Sequence, residues 1–189
     1  MTDPTTSSST RKVCDGASVG VVIQTEDGVL IGDRTDGAGA AGIAGHVFDA
    51  HSSYDDAARA EVEEEAGLTV VLLEQVTDGW VWRPNRCKRG DGPHGSGHRW
   101  QIYRASVTGQ MTIDPGSFSN VRWATRSELQ ELAERTLNRA RGQLTVQDWT
   151  ARPGIEPVWV QWFAIVELID MRPEDLDVIE QFISGRAGR

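Results

Sequence analysis

From Gly45 to Leu68 the chain reads GHVFDAHSSYDDAARAEVEEEAGL, a stretch with the marks of a helix at both ends. Ser52 and Ser53 can each accept from the free N–H groups of a first turn, and Asp55 and Asp56 favour its positive end. Gly67 supplies a stop, so the pattern predicts a helix from about Tyr54 to Ala66. At roughly 100° per residue, Glu61, Glu64 and Glu65 fall within about a third of its circumference, while Glu63 points elsewhere. Like charges at these spacings cost about 0.2–0.5 kcal/mol per pair, and proximity to the negative helix end adds to the penalty. A hard divalent cation would offset it, since Mg²⁺ prefers carboxylate oxygens shared with water and substrate phosphates. Spacing alone equally permits a solvated acidic face.

Upstream, Ser18 to Gln24 is rich in Val and Ile, Asp27-Gly28 is a hairpin signal, and Val29 to Ile31 resumes the apolar character, which predicts two paired strands. Gly37 to Gly45 holds four glycines and four alanines, with a short strand expected over Gly42 to Val47. Downstream, one long extended region is expected from Thr69 to Trp82, then a loop rich in Gly, Pro, Arg and His through Gly97. Strands follow over Trp100 to Thr108 and Asn120 to Ala124. Thr125 with Glu128 reads as a capping box, and Leu129, Leu132, Ala133 and Leu137 recur at helical spacing. Beyond Gly142 the chain reads as helical, with Pro157 and Pro173 suited to first turns and Leu176, Ile179, Phe182 and Ile183 sharing one apolar face. Strands and helices are mixed rather than strictly alternating, so the expected class is α+β or mixed α/β.

The 189 residues, 39% hydrophobic and 25% charged, suit one globular domain. Residues 1–13 are expected to be a disordered tail, 14–142 the domain, and 143–189 a helical extension that covers the sheet or forms a homodimer contact. A net charge of −9 argues against long nucleic acid as a partner, because polymer affinity depends on neutralising many phosphates. No apolar run is long enough for a membrane span: Val158 to Val166 is short and broken by Gln161. Cys14 and Cys87 are the only cysteines, too few for a disulfide framework, so a soluble protein of the reducing cytoplasm is expected.

The Gly45 to Leu68 segment resembles the Nudix box, whose pattern is Gly, five residues, Glu, seven residues, then Arg-Glu-U-x-Glu-Glu-x-Gly-U with U aliphatic. The second half matches from Glu61 through Leu68, with Val62 and Leu68 at the aliphatic positions. Three departures stand beside the match. Ala60 occupies the Arg position with Arg59 only its neighbour, one extra residue separates Gly45 from Glu61, and the early Glu is absent, with His51 or Ser52 nearest. The resemblance spans about Ala17 to Ala140 and implies an α/β/α sandwich around a mixed sheet. It also implies hydrolysis of a pyrophosphate linkage in a nucleoside diphosphate derivative, with Mg²⁺ or Mn²⁺ as cofactor. Carried over by position, Glu61, Glu64 and Glu65 are the catalytic and metal-holding carboxylates, the Gly45 carbonyl is a further metal ligand, and Glu61 also helps to take a proton. Asp114 is the only carboxylate in the loop where many relatives carry another acidic residue. The alternative left by the departures is a Nudix-fold nucleotide-binding or regulatory module without turnover.

Arg83, Arg86, Lys88, Arg89 and Arg99 concentrate positive charge beside Trp80, Trp82 and Trp100. Arg83, Arg99, Trp82 and Trp100 are therefore the candidates for pairing phosphate and stacking a base of a small nucleotide-like substrate. Trp80 and Trp82 filling one side of a sheet is the plainer alternative. Cys87, His94 and His98 have a spacing that could bind zinc, with Cys14 as a fourth ligand only if the N-terminal segment folds across the loop.

Overall fold

The computed structural model describes residues 13–185, so the polar tail expected over residues 1–13 lies outside it except for its last residue. The apolar run near the start forms β1 (Ala17–Thr25), buried from Ala17 to Ile23, as a strand covered on both faces must be. It pairs with β2 (Gly28–Arg34) through the Asp27-Gly28 turn. Two short strands follow, β3 (Ala40–Ala41) on β2 and β4 (Ile43–His46) antiparallel to β1. The expected helix is α1 (Tyr54–Ala66), capped by Ser53 Oγ accepting from Asp56 N–H and ended by Gly67 in the left-handed region at φ 66°.

The extended region expected over Thr69 to Trp82 divides into β5 (Thr69–Gln75) and β6 (Val81–Pro84). A tight turn separates them: Thr77 Oγ1 and Gln75 Nε2 both donate to the Gly79 carbonyl, and Gly79 takes φ 69°. Both strands lie antiparallel on β7 (Gly97–Thr108), which runs parallel to β1 from Ala17↔Arg99 to Ile23↔Ala105. β8 (Phe118–Ala124) pairs with β2, closing a mixed sheet with β1 and β7 at its centre.

α1 buries Ala57, Ala58, Val62 and Ala66 against this sheet. α2 (Arg126–Ala140), α3 (Val146–Ala151), α4 (Pro157–Ile165) and α5 (Pro173–Ile183) follow, with prolines at the starts of the last two. The capping box expected at α2 forms only by half. Thr125 Oγ1 accepts from Glu128 N–H, but the Glu128 carboxylate takes the charged Arg122 Nε at 2.6 Å in place of a backbone N–H. α4 places Val158, Trp159, Trp162 and Phe163 in the same core as β1. The ring of Trp159 lies over two glycines, Gly20 and Gly42, where a β-carbon would stand 3.2 and 2.7 Å from it. Ahead of α4, Ala40 exchanges backbone hydrogen bonds with Gly154 and Glu156, which brings Glu156 beside β2. No helix among the described residues is long and apolar enough to cross a membrane.

Candidate active site

The last two turns of α1 face β4, and there the carboxylates meet the backbone. A β-carbon at Gly45 would fall 1.6 Å from Glu61 Oε1, so this carboxylate occupies the space that any other residue's side chain would need. Burial, then the charges of Glu65 and Glu64, push the Glu61 carboxyl up to about 7. Glu65 is buried; it accepts from Arg34 Nη1 at 3.0 Å and from Ala44 N–H at 3.1 Å. Burial raises its pKa and the Arg34 guanidinium opposes the rise. Arg34 in turn reaches Glu156 at 3.6 Å, so an arginine on β2 links the carboxylate helix to the start of α4. Glu64 is exposed at the mouth of the group. Three carboxylates of unequal burial, packed beside the β4 backbone, make an oxygen donor set suited to a hard divalent cation.

The departures from the box are visible here. Ala60 carries no charge and Arg59 spends its guanidinium on the Val70 carbonyl, so the arginine that steadies a site carboxylate comes from Arg34 instead. The loop that lacks the early Glu is held from outside: Phe48 N–H donates to Asp15 Oδ2 at 2.7 Å, and Asp49 pairs with Arg89. Asp114 accepts from Gly116 N–H and Ser117 Oγ within its own loop, and those bonds lower its pKa.

Beside Gly45 opens a cavity of about 340 Å³, bordered by Arg34, Ala44, Arg86, Lys88, Arg89 and Trp100 among others. Of the substrate candidates, Trp100 borders it while buried against Trp162. Arg83, Arg99 and Trp82 are not brought to its wall. Arg99 lies 4.1 Å from the Trp80 ring, Arg83 5.3 Å from the Trp162 ring, and the partly exposed Trp82 packs on Gly97. Arg34 and Glu156, which the fold brings to this group and to the cavity wall, were not picked out from the sequence. Their contacts span 31 residues and more, and no local spacing announces them.

The NUDIX domain family model matches residues 15–146. The chain belongs to the Nudix family. As a Nudix protein it is a hydrolase acting on phosphorus-containing acid anhydrides, and its fold is the α/β/α sandwich of that family. Solved structures similar to it include a Nudix-family hydrolase from Clostridium perfringens, at 18% identity and TM-score 0.49, covering 63% of this chain and 87% of that one. The Nudix domain of Shewanella oneidensis NrtR complexed with ADP ribose is 15% identical at TM-score 0.49, covering 67% and 81% of the two chains. The E. coli ORF135 protein is 16% identical at TM-score 0.46, with 90% of each chain covered. No curated protein matches the sequence.

Proposed function

We propose that this Nudix protein hydrolyses the pyrophosphate linkage of a nucleoside diphosphate derivative with Mg²⁺ or Mn²⁺. The observation that carries the reading is the seating of Glu61 against Gly45, with Glu64 and Glu65 on the same turn; Gly45 itself borders the cavity, whose wall carries four cationic side chains. Glu61, Glu64, Glu65 and the Gly45 carbonyl are the groups that would hold the cation. When bound, it would polarise a phosphoryl oxygen and acidify a coordinated water. Arg34 donates to Glu65 and opposes the rise that burial gives its pKa. Glu61 would also help to accept the proton of the attacking water. Arg86, Lys88 and Arg89 border the cavity and take the phosphate-binding role, with Trp100 shaping its floor. Arg83, Arg99 and Trp82 then support the loop from outside. A reducing compartment such as the cytoplasm belongs to the proposal, since Cys14 and Cys87 are not joined in a disulfide.

A panel of nucleoside triphosphates, nucleotide sugars and dinucleotides, assayed with Mg²⁺ or Mn²⁺, tests it. At least one compound should be cleaved at a P–O–P bond, and Glu61→Gln should lower kcat by about 10² or more. Tight binding without turnover of any compound would instead mark a nucleotide-binding module.

A further inference from the structure

We propose that Cys14, His46, Cys87 and His98 bind a structural zinc ion in a four-ligand site that uses none of the carboxylates and lies on the wall of the same cavity. The four residues come from different parts of the chain. Cys14 precedes β1, His46 ends β4, Cys87 lies in the basic loop, and His98 is at the start of β7. Their ligand atoms nevertheless lie within 4.8 Å of one another. Cys14 Sγ stands 3.0 Å from His98 Nε2 and 3.9 Å from His46 Nε2, and Cys87 Sγ stands 3.5 Å from His46 Nε2. A tetrahedral zinc with its usual bond lengths separates sulfur and nitrogen ligands by about 3.6 Å. The observed distances bracket that value.

The surroundings fit thiolate and neutral imidazole ligands. Each sulfur accepts a backbone N–H from two residues further on, Gly16 to Cys14 and Arg89 to Cys87, both at 3.4 Å. Such donors stabilise a thiolate, and their recurrence gives both cysteines the same local turn. His98 Nδ1 lies 2.7 Å from Ser18 Oγ and 3.2 Å from the Asn85 side-chain amide; with the Asn85 amide oxygen turned toward the ring, an Nδ1–H donating to these two leaves Nε2 free to ligate, the arrangement by which outer partners fix a ligand histidine. Two thiolates neutralise the dication, and a set of four protein ligands leaves no open position, which marks a structural rather than a catalytic site. The N-terminal segment does cross the loop: Gly92 packs against Gly16 and Cys14. His94, read from the sequence as a ligand, is exposed and outside the group; His46 takes its place because β4 pairs with β1 at Ser18↔His46. Zinc here would pin the loop bearing Arg86, Lys88 and Arg89 to the strand that carries Gly45.

Elemental analysis of the full chain, purified without chelator, tests the site directly. After incubation with zinc and gel filtration, about one zinc per chain is expected, with the thiols slow to react until a mercurial releases the metal. Cobalt in its place should give thiolate charge-transfer and tetrahedral ligand-field bands. Cys14→Ser with Cys87→Ser should reduce zinc to background, while His94→Ala keeps it. The wild-type chain needs no variant to refute the idea: a folded, reduced chain without zinc after incubation overturns it. So does iron as the bound metal, or a Cys14–Cys87 disulfide in protein purified under reducing conditions. Zinc content is read without substrate, so it stands or falls apart from hydrolysis.

Discussion

At the scale of single residues, the least replaceable atom of the site is one that is missing, the β-carbon of Gly45. Its place is filled by the Glu61 carboxylate, and the clash falls on the far end of a flexible side chain rather than on backbone. Gly45→Ala should therefore fold normally while turning Glu61 away from the Gly45 carbonyl. The expected result is an unchanged far-UV circular dichroism spectrum with kcat/KM lowered by about 10² or more, as for other misplaced catalytic groups. Activity within a few-fold of wild type would show that Glu61 does not act from where it sits. Sequence spacing puts Glu61, Glu64 and Glu65 on one stretch of α1 because helical periodicity is local. It was silent on Arg34 and Glu156, since the pairing of β2 and the return of the chain to β3 bring them to the site.

Among the elements, α1 and the strands around it were readable because their ends carry explicit signals: Ser53 as cap, Gly67 as stop, Asp27-Gly28 as turn. The division between β5 and β6 was not, because Thr77 and Asp78 interrupt the run without a strong breaker until Gly79. The two halves of the zinc reading differ in the same way. Cys87 and His98 are close in sequence, whereas His46 joins them only through sheet register. Gly67 allows a prediction about α1 as a unit. At φ 66° an alanine pays about 1–2 kcal/mol for the left-handed conformation, and its β-carbon would also meet Thr112 at 2.9 Å. Gly67→Ala should lower unfolding free energy by at least that amount, seen in urea as a lower midpoint with an unchanged slope. An unshifted midpoint would mean the end of α1 relaxes freely.

For the whole molecule, the matched family segment ends at residue 146, yet the core does not. Trp159 and Trp162 are fully buried, and the Trp159 ring fills the space over Gly42 and, together with Ile102, the space over Gly20. The apolar length of Val158 to Val166 shows in the sequence, but which surface it covers depends on two glycines more than a hundred residues away. Removing one buried tryptophan side chain costs about 3–5 kcal/mol, against a total stability of about 5–15 kcal/mol for a typical domain. Trp159→Ala should thus leave a folded but weakened protein. A chain ended at Gly142 loses Trp159, Trp162 and Phe163 together, and with them the Glu156 contact to Arg34. It should fail to melt cooperatively and should lose the dispersed amide spectrum of a packed core. A truncated chain that melts sharply with good dispersion would show that the domain closes its sheet without α4.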